Sequence, residues 1–150
     1  MMQLLRQVDR IVDEVTGWEG IRTAPHRYGG TEFQLGTREV GHLHRGGMLD
    51  IPFPKAVRDA LIADGRAEPH HLLHDTGWTS YYIRSERDAA GALWLLRLAY
   101  LLILRRPSGR GQTHLNPAQI EAALADLDPG PALADVILPN EIDALILAEF

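Results

Sequence analysis

The sequence predicts an α+β domain of two layers, α-β(3)-α-β(2)-α, with an antiparallel sheet and a helical C-terminal tail. Three observations lead there. Leu4, Leu5, Val8, Ile11, Val12 and Val15 recur at helical spacing along residues 3–16. Short extended segments joined by tight Gly-rich turns fill residues 20–54, and tight connections favour antiparallel pairing. A capped, strongly apolar helix follows at residues 86–105.

The elements follow in order. Gly17 stops the first helix. Ile21–His26 is extended and runs into Tyr28-Gly29-Gly30, a turn. Thr31–Leu35 alternates, with Phe33 and Leu35 on one face, which marks a half-buried strand. Glu39–His44 and Met48–Phe53 read as a hairpin around Arg45-Gly46-Gly47. Pro52 and Pro54 confine the second hairpin strand to an edge or end it. A helix takes residues 56–64, with Gly65 just past its end. A short strand is expected within 67–75, and a clearer one at Trp78–Arg84, where Trp78, Ser80 and Tyr82 share a face. Ser85 caps the apolar helix, and Pro107 ends it. Asn116-Pro117 opens a further helix. The apolar runs Val136–Leu138 and Ile142–Leu147 are expected to dock on the domain or on a second subunit.

Composition bounds the function. At 150 residues, with 45% hydrophobic and 23% charged side chains, the chain is most simply one globular domain. Residues 1–106 carry 14 basic and 13 acidic side chains, and residues 107–150 carry one and seven. This divides the chain into a domain, 1–106, and an acidic, partly helical extension, 107–150. The net charge of −5 argues against a nucleic-acid partner. With no cysteine, disulfides, thiolate metal sites and a Cys nucleophile are excluded. Asp9, Asp13 and Glu14 interrupt any leader-like apolar segment, so a cytoplasmic location is expected. The apolar stretch Ala89–Leu104 is shorter than the ~20 residues of a membrane span and has Arg97 in its middle; a core helix is expected, with no membrane partner.

The chemistry concentrates in Glu39–Pro54. His42 and His44 point to one strand face. A three-residue loop, Arg45–Gly47, sets His42 opposite Asp50; a two-residue loop sets it opposite Ile51 and sends Asp50 to the other face. The longer loop is preferred, because it keeps Asp50 from being buried among apolar side chains. If His42, His44 and Asp50 converge, they form either a two-His-one-carboxylate metal set or a metal-free acid/base group. His70 is the expected fourth member. Arg45, His71, Trp78 and Tyr82 are expected to bind ligand. Ser80 and Ser85 have no nucleophile context.

At these residues the chain resembles a family. Gly41-His42-Leu43-His44, Gly47–Asp50 with Ile51-Pro52-Phe53-Pro54, Gly65–His71, Gly77-Trp78 and Leu95–Tyr100 are similar to the small bacterial proteins of the luciferase family. That family is named for its similarity to fungal luciferases, which oxidise a hydroxylated pyrone with oxygen. The element order is also similar to MmcQ/YjbR-like and secretion-chaperone-like domains. His74 and the acidic tail depart from the family pattern.

The resemblance and the polar cluster together imply a small-molecule-binding domain, an oxygenase of an aromatic or enol-type substrate. It would use no metal or other cofactor, and His42, His44, Asp50 and His70 would be its acid/base face. A non-catalytic binding module, paired as a homodimer, is the alternative, and a metal-dependent enzyme the third. Catalysis requires the three hairpin residues to converge; a binding module expects them scattered beside an exposed aromatic face.

Overall fold

A computed structural model describes residues 2–26, 29–73, 75–109 and 111–138. Helix α1 (Met2–Thr16) buries Val8, Ile11 and Val15, the centre of the predicted stripe, while Leu5 stays exposed. Four strands follow: β1 (Ile21–His26), β2 (Gly30–Leu35), β3 (Arg38–Leu43) and β4 (Met48–Pro52). Helix α2 (Lys55–Ala63), strands β5 (Glu68–Pro69) and β6 (Trp78–Tyr82) and the long helix α3 (Glu86–Arg105) come next. The segment Ile21–His26 pairs along its whole length with β2, so four strands rather than three precede α2.

The sheet is antiparallel throughout, in the order β1-β2-β3-β4-β6-β5. Helices α1 and α3 pack on one of its faces, against Phe33, Leu35, Val40, Leu43, Leu49 and Ile51. Gly41 lets α3 lie close: a Cβ there would stand 3.3 Å from Leu96 and 3.1 Å from Ile51. Pro52 does end β4, but β4 is interior to the sheet, between β3 and β6. The strand expected within 67–75 shrinks to Glu68–Pro69. Pro69 has no N–H to continue a ladder, and the amides of Leu72 and Leu73 turn back onto the His70 ring.

Ser85 caps α3 by accepting the Asp88 N–H at 3.3 Å. Arg97, midway along α3, lies over Trp18 and Tyr100, so the charge within the apolar helix is covered by aromatic rings. No helix among the described residues is long and apolar enough to cross a membrane.

Beyond α3, helices α4 (Pro117–Asp126) and α5 (Pro131–Ile137) return to the domain and bury Ile120, Leu124, Leu133 and Ile137. Asn116 and Gln119 form a reciprocal capping box at the start of α4. Asp64, at the end of α2, accepts the N–H groups of Ala132 and Leu133 at 3.2 and 3.0 Å and so caps α5. The expected apolar run 142–147 lies outside the described residues, as do Tyr28 and His74.

What this architecture leaves open is the second sheet face. A row of directly opposed residues crosses all six strands on that side: Ala24, Glu32, His42, Asp50, Ser80 and Glu68. Neither α1 nor α3 covers it, and every residue of the row but Ala24 is polar where the helix-packed face is apolar.

Candidate active site

The β3–β4 hairpin turns through Arg45-Gly46-Gly47, the three-residue loop. The His44 N–H donates to the Met48 carbonyl at 2.9 Å, and the Gly47 N–H to the His44 carbonyl at 2.9 Å. Gly47 has φ 93°, and a Cβ there would stand 2.8 Å from the Ile83 carbonyl, so the turn requires glycine. This loop sets His42 opposite Asp50 and Leu43 opposite Leu49. The next pairing sets Asp50 opposite Ser80.

A β-bulge adds a member that alternation hides. Phe33 pairs with Gly41 and Gln34 with Glu39, which leaves Val40 as the extra residue of β3. Three residues apart in a regular strand, Glu39 and His42 would face opposite ways. The bulge puts both on the open face, where Glu39 Oε2 lies 2.9 Å from His42 Nδ1.

The centre of the site is the Asp50 carboxylate, 1% exposed. Its Oδ1 accepts the Ser80 hydroxyl at 2.7 Å. Its Oδ2 faces three imidazoles: His44 Nε2 at 3.0 Å, His42 Nε2 at 3.2 Å and His70 Nε2 at 3.6 Å. His71 stands beyond Ser80, its Nδ1 3.3 Å from the hydroxyl oxygen and 3.9 Å from Oδ1. His26 stacks on His42 with ring centres 3.9 Å apart, and Trp78 lies 5.4 Å from His42 and 5.8 Å from His70.

His42 and His70 are shifted in opposite directions. Burial alone pushes His42 down, but its hydrogen bonds to Asp50 and Glu39 outweigh this and raise its pKa to about 9. At neutral pH His42 is therefore an imidazolium, both of its N–H groups donating to carboxylates. Burial likewise works against the Asp50 charge, yet donors from His42, Ser80 and His44 hold the carboxyl well below its ordinary value. Burial pushes His70 below the usual imidazole range, against the attraction of Asp50. Its Nδ1 accepts the Leu72 and Leu73 amides at 3.1 and 3.0 Å, which places the ring proton of neutral His70 on Nε2, toward Asp50. His44 is the more accessible ring, 25% exposed against 10% for His42. When neutral and donating from Nε2 to Asp50, it carries a lone pair on Nδ1.

The residues expected to bind ligand are spread more widely. Trp78 and His71 border the cluster. Tyr82 lines a cavity of about 160 Å³ with Ser80, Tyr81, Arg66 and Arg84. Arg45 is exposed at the hairpin tip, its stem against Gly29. A second cavity, about 200 Å³, is lined by Glu39 together with Phe53, Ala99, Leu102 and Arg106. Sequence reasoning missed Glu39, His26, and the loop residues Leu72 and Leu73, which are 72% and 47% exposed beside the site. Glu39 needs the bulge and His26 a cross-strand neighbour, neither marked locally. Ser80 shares parity with Trp78 and Tyr82, so its place on this face was legible though its partner was not.

Residues 37–99 match the family model described as Luciferase domain. The matched segment holds Glu39, His42, His44, Asp50, His70, His71, Trp78 and Ser80, the whole cluster except the stacked His26. No curated protein and no solved structure matches the chain.

Proposed function

We propose that this luciferase-like domain protein binds a small aromatic or enol-type molecule on the open sheet face and promotes its oxidation by dioxygen. The observation that carries the reading is the Asp50–His44 contact of 3.0 Å on Nε2, which leaves Nδ1 as the candidate base on the more accessible of the two hairpin rings. The convergence of His42, His44 and Asp50 favours this reading over an interaction module, which expects them scattered.

His44 Nδ1 takes the acidic enol proton, and Asp50 stabilises the imidazolium that forms. The His42 imidazolium offers a fixed positive charge near the developing enolate, in a site that needs no reorganisation to supply it. The electron-rich enolate transfers one electron to dioxygen; recombination of the two radicals forms a C–O bond, and a proton returned from His44 yields the hydroperoxide. Dioxygen is the only oxidant required, and no resident cofactor enters. Trp78 and the exposed Leu72 and Leu73 supply apolar contact for a planar ring, and Arg45, His71 and Tyr82 provide polar groups at its margins. A hydroxylated pyrone, the substrate type of the fungal luciferases for which the matched family is named, fits this description.

The test is oxygen uptake with a 3-hydroxy-2-pyrone. Wild-type protein is expected to consume oxygen in step with pyrone loss, and His44→Gln to lose at least a hundredfold in rate. Uptake that is unchanged in His44→Gln contradicts the reading.

A further inference from the structure

We infer that His42 Nε2, His44 Nε2 and Asp50 Oδ2 also form a capture site for one divalent transition-metal ion, occupied only in exchange for the acid/base state. One ligand atom from each of the three residues lies within 4.8 Å of the others. Two of the edges, His42–Asp50 at 3.2 Å and His44–Asp50 at 3.0 Å, match a coordination polyhedron. Neighbouring ligands each about 2.1 Å from a metal stand about 3.0–3.4 Å apart. Two imidazoles with one carboxylate suit zinc, cobalt or ferrous ion, whereas magnesium and calcium favour all-oxygen sets.

The surroundings fit the same role. Glu39 holds His42 through Nδ1, the carboxylate–histidine arrangement that orients a ligating ring. Ser80 occupies Asp50 Oδ1 and leaves Oδ2 for an ion. His70 is excluded as a ligand despite its proximity, because its Nδ1 accepts two backbone amides and its Nε2 carries the proton. The same argument dismisses the neighbouring group of Asp50, His70 and His71, which then retains only two donors.

Exclusivity follows from the shared atoms. The His44 Nε2–Asp50 Oδ2 contact that orients the proposed base uses the same two atoms an ion would take, so metal occupancy and proton abstraction compete. The loss of turnover rests on the proposed function; the binding itself does not.

The experiment titrates chelator-treated protein with zinc by calorimetry, and with cobalt by its visible d–d absorption. Oxygen uptake with the 3-hydroxy-2-pyrone is followed alongside. One ion per chain is expected, with affinity at least tenfold weaker in His44→Gln and within twofold of wild type in His70→Gln; uptake falls as zinc occupancy rises. His44 is half-buried at the margin, so this variant leaves the fold in place, which circular dichroism checks. Absence of saturable binding, or binding that His44→Gln leaves unchanged, overturns the inference. Uptake that rises with zinc overturns it as well. Failure to bind zinc while metal-free uptake persists sinks the inference alone. Zinc binding lost in His44→Gln, without uptake by the metal-free protein, sinks the proposed function and leaves the metal site standing.

Discussion

His42 stands directly opposite Asp50 across the β3–β4 hairpin, its Nε2 3.2 Å from the Asp50 Oδ2, and its Nδ1 rests on a second carboxylate, Glu39. A buried imidazolium between two carboxylates, one itself 1% exposed, binds the centre of the sheet to the chemistry of its open face. Removing one partner of such a pair leaves the other charge buried without compensation.

Asp50→Asn keeps the shape and removes the charge. It is expected to destabilise the protein by about 3 kcal/mol, as breakage of a buried pair does. Urea unfolding of wild type and variant checks this. A loss below about 1 kcal/mol, the range of an ordinary surface ion pair, contradicts the pairing described.

The pH dependence has a definite sign. The folded pKa of His42, about 9, lies above its ordinary 6.5. Its pairing therefore stabilises the fold in full below about pH 6.5, and that stabilisation is lost as the pH rises through about 9. At most about 3 kcal/mol is at stake. Unfolding midpoints measured between those limits are expected to fall in wild type and to stay flatter in His42→Gln. Equal slopes in the two proteins overturn the assignment.

Much of this face was readable before the structure. The period-two spacing of His42 and His44 left two hairpin registers, and the expectation that Asp50 avoids an apolar face selected the three-residue loop that sets His42 opposite Asp50, as the structure has it. The two-layer class and the capped helix α3 followed from hydrophobic period and from Ser85. What was hidden depends on contacts distant in sequence or on broken alternation. Glu39 reaches the site only through the Val40 bulge, and His26 only by stacking across β2 onto β3. His70 was singled out, but in a predicted strand; it sits in a loop that its own ring organises.

Glu39→Gln tests the bulge. The variant keeps a hydrogen-bonding group beside His42 Nδ1 but removes one of the charges that raise its pKa. The NMR titration midpoint of the His42 ring is expected to drop by about one pH unit toward the ordinary value. An unmoved midpoint shows that Glu39 does not govern this ring.

Leu72 and Leu73 are exposed apolar side chains whose backbone is tied to His70. Replacing both with serine removes apolar contact without touching the proton-bearing groups. KM for the pyrone is expected to rise about tenfold, equivalent to about 1.4 kcal/mol of lost burial, with kcat within twofold. A fall in kcat with KM unchanged argues against a binding lip.

The central claim is that His44, oriented by Asp50, removes a proton from an enol-type ligand. The most direct measurement is an anaerobic optical titration of the protein with a 3-hydroxy-2-pyrone, buffered below the free pyrone's own pKa. The account predicts that bound pyrone shows the absorption of its anion in wild type and of its neutral form in His44→Gln. A neutral spectrum for pyrone bound to the wild-type protein, or an anion spectrum that persists in His44→Gln, contradicts it.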